Sequence, residues 1–557
     1  MGFYVGIDLG TTNSTVSVIR TEDMDDNPLD TLTTCPIYQY DARLQYATDE
    51  TCLPSSLYFD IENQKVYTGM YAKAMYASGT RPMQTVRSIK TRMSGASEIL
   101  IPGIRDESRR ASFNMVQCAS FFIRTILQSL RAQYPDEDVA REAVVTVPAA
   151  FSDDERVATR NAVLLGGFQS CRILDEPTAA LLSYLNSEAA NADIEEDEER
   201  PTRRLVYDIG GGTLDVSIAE AKINENEDYD INVLGLSNRM NLGGDNFDQL
   251  LAAKFLMEFE QSTQPIQSYS EEDQNRIIAR IVSNAEDYKI KLNDQVLGCD
   301  PRRLARLRPL RVSFELIRGM YVEGQTLSKA QFDDMCSIFS DPNVGLLLKP
   351  VKSALKQAQI EASDIDEVVL TGGMSHFYTI PEVLQTFFGS EMPISVVDDT
   401  RTAVSRGAAL YHWGLDEDNY HEGVKRLNHI SERLAGNIYL RRDKEFDLLI
   451  DGKMQETSGD FSRPVTDGYM TSLPLFLYSG SLEDGAEKLT ALAGKRLPLS
   501  HPYHEGDKIP LHWSIDENKI ITIDVQEPGF APIRFSRQLS AEAIENDPVQ
   551  KYVVNKG

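Results

Sequence analysis

Ile7-Asp8-Leu9-Gly10-Thr11-Thr12-Asn13-Ser14 is one copy of a pattern that the chain carries twice. The second copy is Tyr207-Asp208-Ile209-Gly210-Gly211-Gly212-Thr213-Leu214-Asp215. In each copy an apolar strand ends at an acidic residue, a turn of Gly and Thr follows, and a second strand leads away. Glycines let backbone N–H groups approach phosphate oxygens, hydroxyls add donors, and a carboxylate can hold a hydrated Mg²⁺. The repeat predicts two similar lobes that face each other across a nucleotide.

A single copy of this pattern would carry little weight, because an Asp-x-Gly-Thr stretch is often an ordinary hairpin turn. The run of glycines from Gly210 to Gly212 is harder to explain in that way, since three glycines cost backbone entropy. The second copy on a matching pair of strands favours the phosphate-binding interpretation.

The composition limits the class of protein. A length of 557 residues is too great for one hydrophobic core, so two or more domains are expected. The net charge of −29 argues against binding nucleic acid or an anionic membrane surface. Six scattered cysteines without C-x-x-C spacing, and seven histidines without a cluster, are typical of a reduced cytoplasmic protein without structural zinc. No run of about 18 apolar residues suggests a membrane span.

Short apolar strands alternate with helical patterns over the first 410 or so residues, which predicts an α/β fold. Ser152 and Glu155 form a capping box that begins a helix ending at Gly166-Gly167, and Glu176-Pro177 begins another helix. From Trp413 the sequence turns polar, and beyond it a period of two predicts a small antiparallel β module. Within this module Pro474 favours an edge strand over a central one.

Further motifs complete a pattern that resembles the DnaK-type chaperones, the seventy-kilodalton heat-shock class, whose ATPase domain has the actin-like fold. The motifs occur in the family's order and at nearly its spacing, over most of residues 1–411. Besides the two turns they are Ser88-Ile89-Lys90, Val147-Pro148-Ala149-Ala150-Phe151-Ser152, Asp175-Glu176-Pro177-Thr178-Ala179-Ala180, Leu242-Gly243-Gly244-Asp245-Asn246-Phe247-Asp248, Leu370-Thr371-Gly372-Gly373 and Gly407-Ala408-Ala409.

The resemblance implies a domain order. A two-lobed, actin-like ATPase domain is expected over residues 1–412, a linker over 413–434, and a small antiparallel module, similar to a β-sandwich, over 435–530. A short tail over 531–557 follows, too short for the helical lid of the family. The family's apolar linker is replaced by Asn428-His429-Ile430-Ser431-Glu432-Arg433-Leu434, which leaves coupling between the domains open.

The resemblance also assigns roles at the phosphate end of the site. Asp8 and Asp208 would hold Mg²⁺ through waters, and Lys90 would place positive charge near the γ-phosphate. Glu176 would orient the attacking water or act as a base, with Asp208 and Thr213 beside it in the catalytic group. Taken alone, Lys90 would be interpreted as an exposed helix lysine. The expected phosphate cradle and its surroundings are Gly10, Thr11, Thr12, Asn13, Gly210, Gly211, Gly212, Asp215, Gly243 and Gly244.

On the adenosine side, Glu286, Lys289 and Asn293 match family positions that contact the ribose and base. Their spacing places them on one helical face, which without the resemblance would be an ordinary charged surface. Gly372 and Gly373 would line the base pocket. His376 stands where the family carries an arginine that packs on adenine, so weaker nucleotide affinity is expected.

Pro148 and Arg156 match a proline–arginine pair that passes the nucleotide state to the partner domain in the family. A structural role, at a strand end and on a helix surface, is an equally good interpretation of the pair.

The leading hypothesis is an ATP-hydrolysing, chaperone-like protein that uses ATP/ADP and Mg²⁺ and binds polypeptide in its β module. A J-domain co-chaperone and a nucleotide-exchange factor are the further partners that the resemblance implies. The alternative is an actin-fold scaffold or switch dedicated to one protein partner, with slow or vestigial hydrolysis. A third class, a sugar or acetate kinase on the same fold, is disfavoured by Glu176-Pro177-Thr178-Ala179-Ala180 and by the C-terminal module.

Overall fold

The computed structural model describes most of the chain. The described residues are 2–22, 26–40, 46–47, 50–93, 98–106, 108–187, 201–226, 228–237, 240–317, 319–341, 344–419, 421, 424–431, 436–442, 444–452, 457–466, 468–482, 485–527, 533–535 and 539–555. None of the helices within these ranges is long and apolar enough to cross a membrane.

The first lobe is built on a mixed sheet with the strand order β13-β12-β1-β2-β3. The strands of this lobe are Gly2–Asp8 (β1), Asn13–Thr21 (β2), Thr33–Thr34 (β3), Gln39–Tyr40 (β4), Tyr46–Ala47 (β5), Leu53–Pro54 (β6), Ser56–Asp60 (β7), Lys65–Thr68 (β8), Thr85–Arg87 (β9), Glu98–Pro102 (β10), Arg110–Asn114 (β11), Glu142–Val147 (β12) and Ser170–Asp175 (β13). Its helices are Pro28–Thr31 (α1), Met70–Ser78 (α2), Met115–Gln133 (α3), Asp153–Gly166 (α4) and Glu176–Leu185 (α5).

The second lobe is built on a sheet with the strand order β20-β19-β14-β15-β16-β21. Its strands are Thr202–Ile209 (β14), Leu214–Ile223 (β15), Tyr229–Leu236 (β16), Leu310–Ile317 (β17), Met320–Leu327 (β18), Glu367–Thr371 (β19), Ile394–Val396 (β20) and Leu427–Ser431 (β21). Its helices are Gly244–Ser262 (α6), Glu271–Leu297 (α7), Pro301–Leu304 (α8), Lys329–Met335 (α9), Ser337–Ser340 (α10), Lys349–Ala358 (α11) and Thr379–Phe388 (α12). The next helix, Ala403–Gly414 (α13), packs on β1, β2 and β12 of the first lobe.

The two lobes repeat one strand arrangement, as the duplicated sequence pattern predicts. β1 pairs antiparallel with β2 and parallel with β12, while β14 pairs antiparallel with β15 and parallel with β19. Helices α5 and α13 contact each other, and the backbone of Gly407 lies against the carbonyl of Ala179. Gly6 of β1 also lies close to the backbone of α13, at Ser405 and Ala409. The predicted two-lobed α/β fold is confirmed.

Local sequence signals around the site also agree with the structure. The side chain of Ser152 accepts a hydrogen bond from the backbone of Glu155, whose carboxylate returns to the backbone of Ser152, and α4 ends at Gly167 in a left-handed conformation. Pro177 lies in the first turn of α5. The capping box fixes where α4 begins, and Pro177 suits the first turn of α5, whose first residue is Glu176.

The C-terminal module consists of two antiparallel four-stranded sheets, with the orders β23-β22-β25-β26 and β24-β27-β28-β29. Its strands are Asn437–Arg442 (β22), Glu445–Ile450 (β23), Ser458–Pro464 (β24), Tyr469–Gly480 (β25), Thr490–His504 (β26), Lys508–Ile515 (β27), Ile521–Val525 (β28) and Ile533–Phe535 (β29). Buried residues from both sheets form one apolar core. The expected antiparallel β module is therefore present.

The prediction that Pro474 favours an edge strand was wrong for the strand as a whole, since β25 lies between β22 and β26. The pairing of β22 with β25 extends only as far as Leu477, however. At Pro474 the strand therefore has its partner on the β26 side alone, and the missing N–H breaks no ladder bond with β22.

Part of the segment predicted as a linker is regular structure. α13 extends to Gly414, and β21 adds a parallel strand to β16 at the edge of the second lobe. Residues 420, 422–423 and 432–434 of that segment lie outside the described residues. The tail contains a short helix, Ala541–Glu545 (α14), and a strand, Val553–Val554 (β30).

Candidate functional site: a cleft between two glycine turns

A cavity of about 270 Å³ lies between the two lobes, where the ends of β1 and β14 meet. This size is close to the lower end of the range of small-molecule sites. Most residues predicted for the site line it: Asp8, Gly10, Thr11, Thr12, Asn13, Lys90, Glu176, Asp208, Gly210, Gly211, Thr213, Gly244, Glu286, Lys289, Gly372 and Gly373.

The two glycine turns touch each other across the cleft. A side chain at Gly211 would overlap the hydroxyl of Thr12, and one at Gly212 would lie 2.7 Å from the methyl group of Thr11. The hydroxyl oxygens of Thr11 and Thr12 are buried and have no hydrogen-bond partner among the described residues. Buried donors without a partner are costly. Their position beside glycine backbone fits a ligand with phosphate oxygens.

Lys90 occupies the centre of the charged end of the cavity. It lies in a short 3₁₀ turn after β9 and is almost fully buried. Its ammonium donates to Oε1 of Glu176 and lies 3.9 Å from Oδ1 of Asp8. Burial would lower the pKa of Lys90, but the charges of Glu176 and Asp8 outweigh it and raise the pKa. Lys90 is therefore a charged group held by two carboxylates.

Glu176 is a buried carboxylate with a raised pKa. Burial raises its pKa to about 8, in spite of the opposite charge of Lys90, and the charges of Asp8 and Asp208 add to the effect. A carboxylate of this kind accepts a proton more readily than an exposed one near neutral pH. Its position at the start of α5 aims it into the cavity, in keeping with the predicted role as base or water-orienting group.

Asp8 is the last residue of β1, and Asp208 is the last but one of the equivalent strand β14. Burial, together with the negative charges of Asp215 and Asp8, raises the pKa of Asp208 to about 7. Burial also raises the pKa of Asp8, which Lys90 and the hydroxyl of Thr146 partly offset. Several buried carboxylates thus face one ammonium group, a charge balance that fits an added divalent cation.

The kind of cation site follows from the ligand set. Within the described ranges no group of three or more His, Cys, Asp or Glu side chains is arranged to hold a metal ion directly. Mg²⁺ keeps several of its own waters and commonly uses one or two carboxylates. Asp8 and Asp208 therefore fit a hydrated Mg²⁺, as the resemblance implied.

The predicted adenosine contacts already have protein partners. The carboxylate of Glu286 accepts a hydrogen bond from Nζ of Lys73 at 3.0 Å, which joins α7 of the second lobe to α2 of the first. Nζ of Lys289 lies 2.9 Å from Oδ1 of Asp248 and donates to the carbonyl of Gly244 at 3.1 Å. Both side chains line the cavity and also brace its wall.

Five predicted residues do not line the cavity: Gly212, Asp215, Gly243, Asn293 and His376. The amide oxygen of Asn293 accepts from the backbone N–H of Tyr378 at 2.9 Å, and its Nδ2 donates to the carbonyl of His376 at 3.3 Å. Asn293 thus ties the loop after Gly373 to α7, and His376 is exposed on that loop. Asp215 acts on the site through its charge, opposite Asp208 in the β14–β15 pairing.

Sequence reasoning missed seven residues that line the cavity: Asp245, Asp248, Ile290, Met374, Thr400, Arg401 and Val404. Asp245 and Asp248 lie inside the Leu242–Asp248 motif, and the helical spacing of four from Gly244 could have indicated Asp248. Thr400 and Arg401 come just before α13, and Val404 lies in its first turn; only the packing of α13 on the first lobe brings them to this cleft.

A buried ion-pair group connects the site to the β module. Asp175, which directly precedes Glu176, accepts from Nη2 of Arg156 at 2.6 Å and from Nζ of Lys519 at 2.6 Å. Burial opposes ionisation of Asp175, but Arg156 and Lys519 outweigh it and lower its pKa. Lys519 comes from the β27–β28 turn of the module and has a left-handed backbone, with φ of 58°. The module therefore contributes a cation one residue away from Glu176.

Comparison with known proteins agrees with this site. The model of the Hsp70 protein family matches residues 43–416. The chaperone protein dnaK of Cyanophora paradoxa is 30% identical over 573 residues, covering 99% of this chain and 82% of the relative. The corresponding protein of Guillardia theta is 29% identical, with the same coverage of both chains. The chaperone protein DnaK of Thermotoga neapolitana is 28% identical over 416 residues, which covers 73% of this chain and 59% of the relative.

The chain belongs to the Hsp70 protein family, as a divergent member of the DnaK type. Membership supports a chaperone-type ATP-binding protein.

Proposed function

We propose that this Hsp70-family chain hydrolyses Mg²⁺–ATP between its lobes, and that the bound nucleotide biases the C-terminal β module, which binds polypeptide. One observation carries the proposal: Lys90, Glu176, Asp8 and Asp208 converge on a single cavity lined by two phosphate-type turns. Hydrolysis of the phosphoanhydride requires positioning and charge stabilisation more than covalent chemistry. The cavity offers both.

Each of the residues that line the cavity has its own role in the proposed hydrolysis. Glu176 accepts a proton from water as the water oxygen attacks the γ-phosphorus and the bond to the ADP oxygen breaks. Lys90 fixes Glu176 through their ion pair and places positive charge beside the transferred group. Thr11 and Thr12 donate their buried hydroxyls to phosphate oxygens. Mg²⁺, which Asp8 and Asp208 would hold through waters, supplies neutralisation of the phosphate charge.

The proposed control of the β module rests on Asp175. Arg156 and Lys519 hold this carboxylate from two sides, and the next residue is Glu176. A change at Glu176 during hydrolysis therefore acts on an ion pair between domains without a long chain of intermediates. This arrangement supports a two-state response in which nucleotide alters the seating of the module.

The alternative, a scaffold dedicated to one protein partner, has its own supporting observation. β21 occupies part of the segment where the family has its apolar linker and is built into the sheet of the second lobe. A client panel separates the two hypotheses: weak binding of many extended peptides supports the chaperone, and tight binding of one partner supports the scaffold.

Steady-state ATP hydrolysis of the full chain, with and without a mixed peptide library, tests the proposal. We expect turnover that rises with peptide and that Lys90→Ala reduces by roughly a hundredfold or more, the typical cost of removing an electrostatic stabiliser. Arg92→Ala is the matched control, because Arg92 lies in the same 3₁₀ turn but is exposed and donates to the carbonyl of Arg87. Turnover that depends on Lys90 but ignores peptide would favour the scaffold. Absence of turnover in the wild type would contradict hydrolysis.

A further inference from the structure

The last described segment of the chain, residues 539–555, returns to the first lobe. Val553–Val554 pairs parallel with β8 and becomes the outer strand of the sheet β30-β8-β7-β9. The N–H of Val553 donates to the carbonyl of Gln64 at 2.9 Å, and the N–H of Asn555 donates to the carbonyl of Val66 at 3.0 Å. The tail thus covers the edge of β8 by strand addition, which satisfies backbone groups that an edge would expose.

Asn555 fixes the register of this pairing. Its amide oxygen accepts from the N–H of Thr68 at 2.9 Å, and its Nδ2 donates to the hydroxyl of Thr68 at 2.8 Å. Asn555 is buried and has a φ of 48°, a left-handed conformation that asparagine tolerates better than most residues. A one-residue slip would break both side-chain bonds.

The rest of the tail is seated on α3 and α4. Nη1 of Arg124 donates to the carbonyls of Val549 and Tyr552, at 3.3 and 3.0 Å, and its Nη2 donates to Oε1 of Gln550 at 3.1 Å. Val549 and Val554 are fully buried in the core of the first lobe. The ring of Tyr552 lies 5.2 Å from that of Phe113. The tail is therefore held by buried apolar side chains and by the hydrogen bonds of Arg124, which together form a polar clamp.

The tail limits how far the β module can move. The module ends at Phe535 in β29, and Leu539 already donates its N–H to Oδ1 of Asn161 on α4 at 3.0 Å. Four residue steps span at most about 14 Å. While the tail stays seated, the end of the module cannot leave the first lobe by more than this distance.

The module meets the first lobe at a second place, its β27–β28 turn. Besides the Lys519–Asp175 ion pair, Oδ1 of Asn518 accepts from the N–H of Ile173 at 2.6 Å, and the N–H of Ile521 donates to Oδ1 of Asp153 at 2.7 Å. Asn518 is 1% exposed. Turn and tail therefore hold the module at two points of one lobe.

We propose that residues 539–555 form a strap that keeps the β module seated on the first lobe through the whole nucleotide cycle. The occupant of the β8 edge is this segment of the chain itself. Nucleotide then changes the fit of the β27–β28 turn and does not release the module. This inference extends the proposed function, but the strap acts in the absence of nucleotide as well.

Hydrogen exchange of the full chain, free of nucleotide, tests the strap independently of ATP turnover. Val554→Asp places a charge in the core, and Val553→Asp is the matched control, since Val553 is 40% exposed on the same strand and Val554 is 1% exposed. We expect Val554→Asp to accelerate exchange at the Thr68 amide on the order of a hundredfold or more, because the charge unseats the tail. The amides of Ile173 and Ile521 should then exchange faster as well, and Val553→Asp should behave as wild type.

Arg124→Gln is the second variant, because it removes the clamp without placing a charge in the core. Both variants are checked for a cooperative thermal transition, and Arg124→Gln carries the test if Val554→Asp fails to fold. A freed Thr68 amide with unchanged exchange at Ile173 and Ile521 would overturn the strap. A wild-type chain whose radius of gyration increases on exchange of ATP for ADP, with Thr68 still protected, would overturn it too. Equal radii in both nucleotide states would support it.

Discussion

The two lobes share a strand order and a turn but differ in the charges that surround the turn. In the first lobe, Asp8 has the ammonium of Lys90 at 3.9 Å. In the second, Asp208 lies opposite Asp215, whose negative charge adds to the effect of burial on its pKa. The two lobes share the backbone arrangement of strand and turn, but only the aspartate of the first lobe has Lys90 beside it. The duplicated fold therefore has two similar glycine turns, while the ammonium group beside the strand-end aspartate belongs to the first lobe.

The same contrast appears where the central helices meet the sheets. In the first lobe, Nε2 of His412 on α13 lies 3.7 Å from the carboxylate of Glu142 on β12. In the second, Glu367 on the equivalent strand β19 accepts from Arg204 at 2.9 Å and from the hydroxyl of Tyr184 on α5 at 2.5 Å. The first contact joins a buried histidine to a partly exposed carboxylate, whereas Glu367, Arg204 and Tyr184 are all buried.

Replacing each strand-end carboxylate gives the largest test of this asymmetry. Asp8→Asn and Asp208→Asn should each lower the apparent affinity for Mg²⁺ in turnover by about 10–100-fold, the usual cost of losing a group that orients a metal's ligands. Without Mg²⁺, however, Asp208→Asn should raise the melting temperature at pH 8 by a few degrees. The folded pKa of Asp208, raised to about 7, makes its ionisation destabilising as pH rises above 4.

Asp8→Asn should not give that gain, because it also removes a partner of Lys90. Melting curves with and without Mg²⁺ check both variants. Equal shifts for the two would show that the lobes are electrostatically alike.

The contact between the turns distinguishes lobe closure from phosphate binding. Gly211→Ala would place a methyl group against Thr12 of the other lobe and force the two turns apart. We expect at least a tenfold loss of ATP affinity, together with a lower melting temperature without nucleotide. At Gly210 the nearest other atom to an added methyl group is 4.0 Å away, so Gly210→Ala should leave the nucleotide-free melting temperature unchanged. Calorimetry and thermal denaturation separate the two effects. A normal melting temperature for Gly211→Ala would contradict the close approach.

The ion pair across the cleft should affect nucleotide release modestly. Lys73→Met removes the Lys73–Glu286 contact between the lobes, and because Lys73 is 41% exposed we expect ADP release to accelerate only about twofold to fivefold. Lys73→Arg should retain the wild-type rate. Stopped-flow release of a fluorescent ADP analogue at low and high salt measures this, and the gap between Lys73→Met and wild type should narrow with salt. A difference in release rate between Lys73→Met and wild type that does not depend on salt would show that the charge of Lys73 is not what slows ADP release.

The smallest expected effect concerns acid stability. The nearby imidazole of His412 holds the pKa of Glu142 down to about 2, from an ordinary value of 4.5. The depressed pKa stabilises the fold above pH 4.5, and this contribution is lost as pH falls from 4.5 towards 2. Glu142→Gln should therefore be slightly less stable than wild type at pH 6, and urea unfolding should show the difference closing below pH 4.5. If the difference in unfolding free energy between Glu142→Gln and wild type stays constant with pH, the ionisation of Glu142 is not its cause.

The β module shows what periodicity reveals and what it omits. The alternation of Ile521, Ile523 and Val525 predicts β28, and those residues are buried as expected. The prediction for Pro474 was wrong because a proline excludes only the hydrogen bond of its own missing N–H. How far the neighbouring strand β22 extends along β25 cannot be inferred from the residues around Pro474. The seating of Lys519 beside Asp175 joins residues separated by 344 positions, and neither has a local pattern that indicates it.

By itself, the sequence determined the duplicated strand-turn-strand units, the capping box of α4, the start of α5 at Glu176-Pro177, and the identity of most residues that line the cleft. These features depend on local rules: strand and helix periodicity, capping hydrogen bonds, and glycine where backbone must approach a ligand. Only the tertiary structure decided which carboxylate each cation pairs with, and that Glu286 and Lys289 make ion pairs in the wall of the cleft. It also decided that the tail adds a strand to a sheet of the first lobe. The physical reason is that burial, charge pairing and strand addition depend on distance in space, which separation along the chain does not fix.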